Sequence, residues 1–210
     1  MNLVTCLLKI KFRAKIEEVE TIEMDIRINS TVEQIHYGLF ETMENIPFRK
    51  ITNRDIINNS HVSSRTFYRY FKDKNELLEK VEDGLISDLI KLLKKDRKLL
   101  EKETKENKVI SSEANSYYHT LTYCAKKRRE ILLLLSQNGD IGFLIKIKNL
   151  GRKELEKRFK LTNRHLTNQF YLDNAVDKNL NVVINWLIYY DNLLKNSISK
   201  LLCESYSEFF

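Results

Sequence analysis

The sequence predicts an all-α protein in two parts, and three observations carry that reading. Only 5 glycines and 1 proline occur in 210 residues, fewer than turn-rich sheets consume. Apolar residues recur every three or four positions from Thr31 almost to the C-terminus, the period of helices with one buried face. Within residues 31–75, three such segments follow one another closely, with a tight turn before the third.

The first helix carries Val32, Ile35, Leu39, Phe40 and Met43 on one face. It is expected to fray near Asn45, because Pro47 disfavours helical geometry in Ile46. Thr52 is placed to cap a second helix, NRDIINNS, which turns Ile56 and Ile57 toward a core. The polar run Asn58–His61 then interrupts the apolar pattern. Ser63 caps a third helix whose Phe67, Tyr70 and Phe71 meet the same core, and Asp73 caps a fourth beginning KNELLEK. In that fourth helix Leu78, Val81, Leu85, Leu89 and Leu92 keep step. EKETKENK at 101–108 reads as a solvated helix end or a loop. Three further helices are expected at 111–137, 140–160 and 172–205, with QNGDIG as the turn between the first two. The last repeats an apolar face through Val183, Leu187, Tyr190, Leu194, Ile198 and Leu201. The pattern thus divides the chain into a three-helix unit at 24–75 and a helical unit at 76–210. Residues 1–23 share no period with the rest. They read equally as a true extension, as an element tied to the body, or as an overcalled start.

The formal charge is +7 and the isoelectric point about 9.2, which favours an anionic partner without naming one. The surplus is spread out: residues 46–74 hold seven Lys/Arg against two Asp/Glu, and residues 146–160 also hold seven against two. Charge alone therefore singles out no patch. The Lys-rich run at 91–108 is read as a solvated helix face in preference to a second nucleic-acid site. Cys6, Cys124 and Cys203 lie far apart, with no disulfide or metal spacing, which fits a reducing cytoplasm. No apolar run approaches the roughly 20 residues of a membrane span, and lysines 9 and 11 follow the first apolar run, unlike a signal peptide. His36, His61, His119 and His165 show no paired spacing, and no phosphate loop, nucleophile elbow or paired carboxylates occur. No enzyme, metal or cofactor is expected.

The stretch HVSSRTFYRYFKDK at 61–74 is the informative one. A helix that reads DNA must bury one face, offer donors to base edges, and be gripped by phosphates so that it does not slide. Val62, Phe67 and Phe71 supply the buried face. Ser64, Arg65, Thr66 and Arg69 supply an outer surface, where arginine can donate a bidentate pair to guanine. Tyr68 offers a phenol to a phosphate, and Lys74 adds charge at a helix N-terminus, where an anion is already favoured. A solvated basic helix has the same composition, and Tyr68 and Tyr70 also fit the edge of a core. Register, not composition, favours DNA.

With the residues before it, this run resembles the N-terminal domain of the tetracycline-repressor (TetR/AcrR) family of bacterial regulators. The resemblance lies in Thr52, Ile56–Ile57, His61–Val62–Ser63, Phe67–Tyr68, Phe71, Lys74 and Leu77–Leu78, and spans about residues 31–85. It implies phosphate contacts from Thr52, Tyr68 and Lys74, and a backbone contact from Tyr70. It further implies a base contact from Arg54, and operator-specific contacts from Ser64, Arg65 and Arg69. Two positions depart from the pattern. His61 stands where the turn usually has glycine, often at positive φ, and Ile57 stands where alanine is common.

The resemblance further implies a homodimer built on C-terminal helices, with 172–205 the candidate, bound to a near-palindromic DNA operator. It implies a repressor released by an unidentified small-molecule effector. Activation or co-regulation through a protein or small-molecule partner is the alternative, since 131–159 and 181–191 are similar to a low-GC Gram-positive subgroup with such members. Tyr117, Tyr118, Phe143, Trp186 and Tyr189 are the candidate ligand-lining residues, beside His119 and Tyr123. An ordinary helical core accounts for the same aromatics.

Overall fold

The structure, a computed structural model, describes residues 29–105, 116–161, 169–189 and 195–204. The expectations for residues 1–23, and those for Cys6, His165, Tyr190 and Leu194, lie outside the described residues. Among the described residues the regular structure is helical, without strands. Two compact units emerge: residues up to Thr42 with Ile51–Leu77, and Met43–Lys50 with Leu78 onward.

Helix α1 (29–45) buries Ile35 and Leu39 completely within the smaller unit, while its end, with the fully buried Met43, belongs to the larger unit. It ends just before Pro47, whose carbonyl accepts from Lys50 N at 2.8 Å to form a short 3-10 turn, Phe48–Lys50. Helix α2 (Asn53–Ser60) begins in a reciprocal capping box. Thr52 Oγ1 accepts from Asp55 N at 3.3 Å, while the Asp55 carboxylate accepts from Thr52 N at 2.8 Å. Ile56 is wholly buried, whereas Ile57 is only half-buried. The pair does not enter the core equally, since adjacent helical positions point about 100° apart.

His61 ends α2 at φ 54° and ψ 26°, the one non-glycine residue at positive φ among those described. Its N–H is bonded to Asn58 O at 3.4 Å. A Cβ in the left-handed region costs energy that glycine avoids. His61→Gly is therefore expected to stabilise the protein by about 0.5–1 kcal/mol after the unfolded-chain entropy of glycine is subtracted. Urea unfolding checks this, and a loss of stability would contradict it.

Helix α3 (Ser64–Tyr70) is capped by Ser63, whose Oγ accepts from Thr66 N at 3.0 Å. Phe67 and Phe71 are buried, with ring centroids 6.0 Å apart, and Val62 and Tyr70 are half-buried. Asp73 Oδ1 accepts from Asn75 N at 2.9 Å and Glu76 N at 3.0 Å, starting helix α4 (Lys74–Lys105). This 32-residue helix is described as far as Lys105, within the segment read as a solvated helix end or a loop, whose residues 106–108 lie outside the described ones.

In the larger unit the segment expected as one helix at 111–137 is two, α5 (Tyr118–Lys126) and α6 (Arg128–Leu135), broken at Lys127 with φ −101° and ψ 23°. Leu121, Cys124, Ile131 and Leu134 stay in step across the break, so periodicity does not reveal it. Helix α7 (Ile141–Leu161) follows the predicted turn. The expected 172–205 helix is described as α8 (Gln169–Tyr189) and α9 (Lys195–Glu204), in which Leu202 is buried and Leu201 is 48% exposed. Leu89 and Leu93 of α4, Leu121 and Cys124 of α5, Trp186 and Leu187 of α8, and Ile198 and Leu202 of α9 share one core cluster.

Helix α5 has no cap of its own, and α4 supplies one. The fully buried Asp96 accepts from His119 N at 3.1 Å, Thr120 N at 2.9 Å, Thr120 Oγ1 at 2.7 Å, and pairs with His119 Nδ1 at 2.7 Å. A carboxylate at that position satisfies orphan donors and meets the positive end of the helix.

Glu82 of α4 is 3% exposed, with Oε2 3.1 Å from Lys146 Nζ and no partner for Oε1 among the described residues. Burial pushes its pKa above the ordinary 4.5, outweighing Lys146. The folded chain therefore holds this proton more tightly than the unfolded one, and the group adds stability as pH falls from its folded value toward 4.5. Glu82→Gln is expected to leave stability at pH 7 unchanged or raised by up to about 1 kcal/mol and to remove the acid-side gain. Urea unfolding at pH 5 and 7 tests both.

Candidate nucleic-acid interface

Ser64, Arg65, Tyr68 and Arg69 of α3 are exposed, as are Thr52 and Arg54 at the start of α2. Thr66, Tyr70 and Lys74 are half-buried. All nine belong to the smaller unit. Three short segments, α2, α3 and the first turn of α4, position them, each begun by its own side-chain cap. The caps at Thr52, Ser63 and Asp73 explain why helices of 8 and 7 residues hold their register although isolated helices of that length do not form.

Asn53 ties these segments together. Its Nδ2 donates to Tyr68 Oη at 3.3 Å, and its Oδ1 accepts from Lys74 N at 2.8 Å. Lys74 Nζ in turn donates to Ile51 O at 2.6 Å. Asn53 was invisible as a site residue in the sequence, because its partners lie 15 and 21 positions away. Asn53→Ala leaves the Lys74 N–H without this acceptor and is expected to cost about 1–2 kcal/mol of stability. Asn53→Asp retains the acceptor and should recover most of it, which urea unfolding of the two variants decides.

Arg69 is held from within α3. Its guanidinium lies 4.7 Å from the Tyr70 ring centroid and donates to Tyr70 Oη at 2.9 Å. Asp55 places a negative charge beside Arg54. Hydrogen bonds from the Thr52 hydroxyl and backbone N–H hold its pKa below the usual 3.8. Both of these bonds fall on its Oδ2.

Residues 40–81 match the model for bacterial regulatory proteins of the tetR family. They are a TetR-family domain. The likeness in fold extends over the chain. A TetR transcriptional regulator from Streptococcus agalactiae 2603V superposes with a TM-score of 0.60 at 18% identity, covering 90% of this chain and 98% of that one. A TerR/AcrR-family regulator from Aquifex aeolicus VF5 gives 0.52 at 18% identity, over 86% and 99%. FadR of Thermus thermophilus, a TetR-family repressor in complex with lauroyl-CoA, gives 0.50 at 16% identity, over 84% and 93%. No curated protein matches the chain. At these identities the likeness shows the fold. No helix among the described residues is long and apolar enough to cross a membrane.

The larger unit contains a cavity of about 150 Å³. Of the five aromatic residues expected to line a ligand site, Tyr117 lies on its wall. The structure places the other four elsewhere. Phe143 is fully buried and Trp186 95% buried, while Tyr118 is 44% and Tyr189 70% exposed. Aliphatic residues form most of the wall instead. Aromatic type was a poor signal for a cavity, because it does not say which way a helix faces.

Proposed function

We propose that this chain is a cytoplasmic, ligand-responsive repressor that binds a near-palindromic operator as a homodimer. The observation that carries the reading is α3: a capped helix with Phe67 buried and Ser64, Arg65, Tyr68 and Arg69 exposed on the other side. In the proposed assignment Arg65 and Arg69, with Ser64 and Thr66, meet base edges in the major groove, and Arg54 adds a contact from α2. Thr52, Tyr68, Tyr70 and Lys74 hold the phosphates.

The C-terminal helices supply the proposed dimer contact. Phe170, Ile188 and Tyr189 of α8 and Leu201 of α9 expose large apolar surface, which favours association. A two-fold dimer presents its recognition helices to half-sites about 34–36 Å apart or a multiple. The cavity of the larger unit supports control by a small molecule. FadR is seen with lauroyl-CoA, and from that relative only the principle of an effector is carried over. An effector that prefers one conformation of the dimer lowers DNA affinity by linkage.

Selection of bound fragments from genomic DNA at moderate salt is the test. The expected result is one enriched, near-palindromic sequence whose affinity falls steeply with salt. Recovery of fragments with no shared sequence would overturn the regulator reading.

A further inference from the structure

We infer that the cavity of the larger unit takes a small, uncharged, apolar molecule about the size of one substituted aromatic ring. This inference rests on the ligand-responsive reading and specifies its ligand. The volume of about 150 Å³ matches the space in which a dry, aliphatic cavity holds benzene. Leu121, Ile131, Ile147, Leu150, Val183 and Leu187 form much of the wall, contributed by four helices.

The polar groups at the wall are already engaged or neutral. Thr120 Oγ1 donates to Asp96 at 2.7 Å, and burial pushes the Cys124 thiol up to about 12, so it stays protonated. Among the described wall residues Glu154 is the only carboxylate and Asn179 the only side-chain amide. Glu154 pairs with Arg97 and, at 2.9 Å, with Arg158. Arg158 also donates to Ser116 O at 2.8 Å and lies 3.8 Å from the centroid of the Tyr117 ring. With Asp96, this gives two buried carboxylates against two guanidiniums. A charged ligand of either sign would forfeit its hydration against a mostly aliphatic wall. A single hydroxyl on the ligand is compatible, since the Thr120 oxygen retains acceptor capacity.

Leu89 and Leu93, on the helix that begins at Lys74, also line the cavity. Occupation therefore bears on the same helix whose first turn Asn53 holds.

The purified full chain is titrated with toluene, p-cresol, benzoate, benzylamine and lauroyl-CoA, read by thermal shift and by the fluorescence of Trp186. That single tryptophan packs in the cluster that includes Leu121 and Leu187. Toluene and p-cresol are expected to saturate and to bind at least about tenfold tighter than the two ions. Ile147→Trp, which fills the space, is expected to abolish this while far-UV circular dichroism is retained. Leu150→Phe serves the same purpose if Ile147→Trp does not fold.

Absence of saturable binding by either neutral ring would overturn the inference. So would equal or tighter binding of an ion or lauroyl-CoA, or unchanged ring binding in the filled variants. DNA affinity, measured in parallel on selected fragments, separates the two readings. Rings that bind without changing DNA affinity sink the ligand response and leave the ligand class standing. Intact DNA binding with no ring bound sinks the ligand class alone.

Discussion

Gly38→Ala lowers the stability of the smaller unit by about 2–3 kcal/mol, the cost of overpacking where neighbours cannot yield. In the interior of an exposed helix the same change would gain close to 1 kcal/mol through propensity. Here a Cβ on α1 would lie 2.6 Å from both Ser60 Cβ and Ser60 N and 2.8 Å from Ile56 O. Two of these three atoms belong to the α2 backbone, so no rotamer change relieves the overlap. The steric term exceeds the propensity gain and sets the sign. The two helices must separate, which also strains the bond from Asn59 Nδ2 to Thr42 Oγ1, now 2.8 Å. Urea unfolding measures the loss, and DNA affinity should fall with it. Adding Ser60→Gly removes one of the contacts and is expected to recover less than half. A Gly38→Ala protein as stable as the parent would show that α1 and α2 do not approach this closely.

Arg65→Ala is expected to cost about 1–3 kcal/mol at one preferred base and to relax selectivity there. Its guanidinium belongs to an exposed residue of a capped helix and is available to a guanine edge. Arg69→Ala acts in the same sense but with a smaller loss, because Arg69 must first give up its bond and ring contact with Tyr70. An exposed interaction of that kind offsets up to about 1 kcal/mol of the new one. Lys74→Ala separates positioning from readout. It should weaken binding to every sequence alike and shallow the salt dependence by about one unit. Because Lys74 Nζ also holds Ile51 O, its variant is judged at matched folded fraction. Binding of the variants to the selected operator and to single-base changes in it, at several salt concentrations, checks all three. Selectivity unchanged in both arginine variants would remove α3 as the reading helix.

Much of this was legible without coordinates. Thr52, Ser63 and Asp73 announced three helix starts, because capping is a local matter of a side-chain oxygen and the N–H groups two or three residues on. Pro47 announced the end of α1 in the same way. His61 stood where glycine was expected, and it occupies the left-handed conformation that the turn requires. The outward register of Ser64, Arg65 and Arg69 followed from the buried positions of Phe67 and Phe71, since a single helix has one phase. What the sequence by itself determined is therefore everything carried by neighbours within a turn or two: the helical class, the capped starts of α2, α3 and α4, and the face of α3 that stays outside.

Only the tertiary structure decided the rest, and the reason is sequence distance. Gly38 is an unremarked glycine until Ser60 is placed against it, and Asn53 is one polar residue among several until Tyr68 and Lys74 meet it. The break at Lys127 leaves the apolar phase intact, so nothing periodic marks it. In the larger unit the aromatic residues suggested a lined site, yet only Tyr117 reaches the cavity. Which residues face a common space depends on how six helices cross, and each crossing is set by summed side-chain contacts that no local pattern encodes.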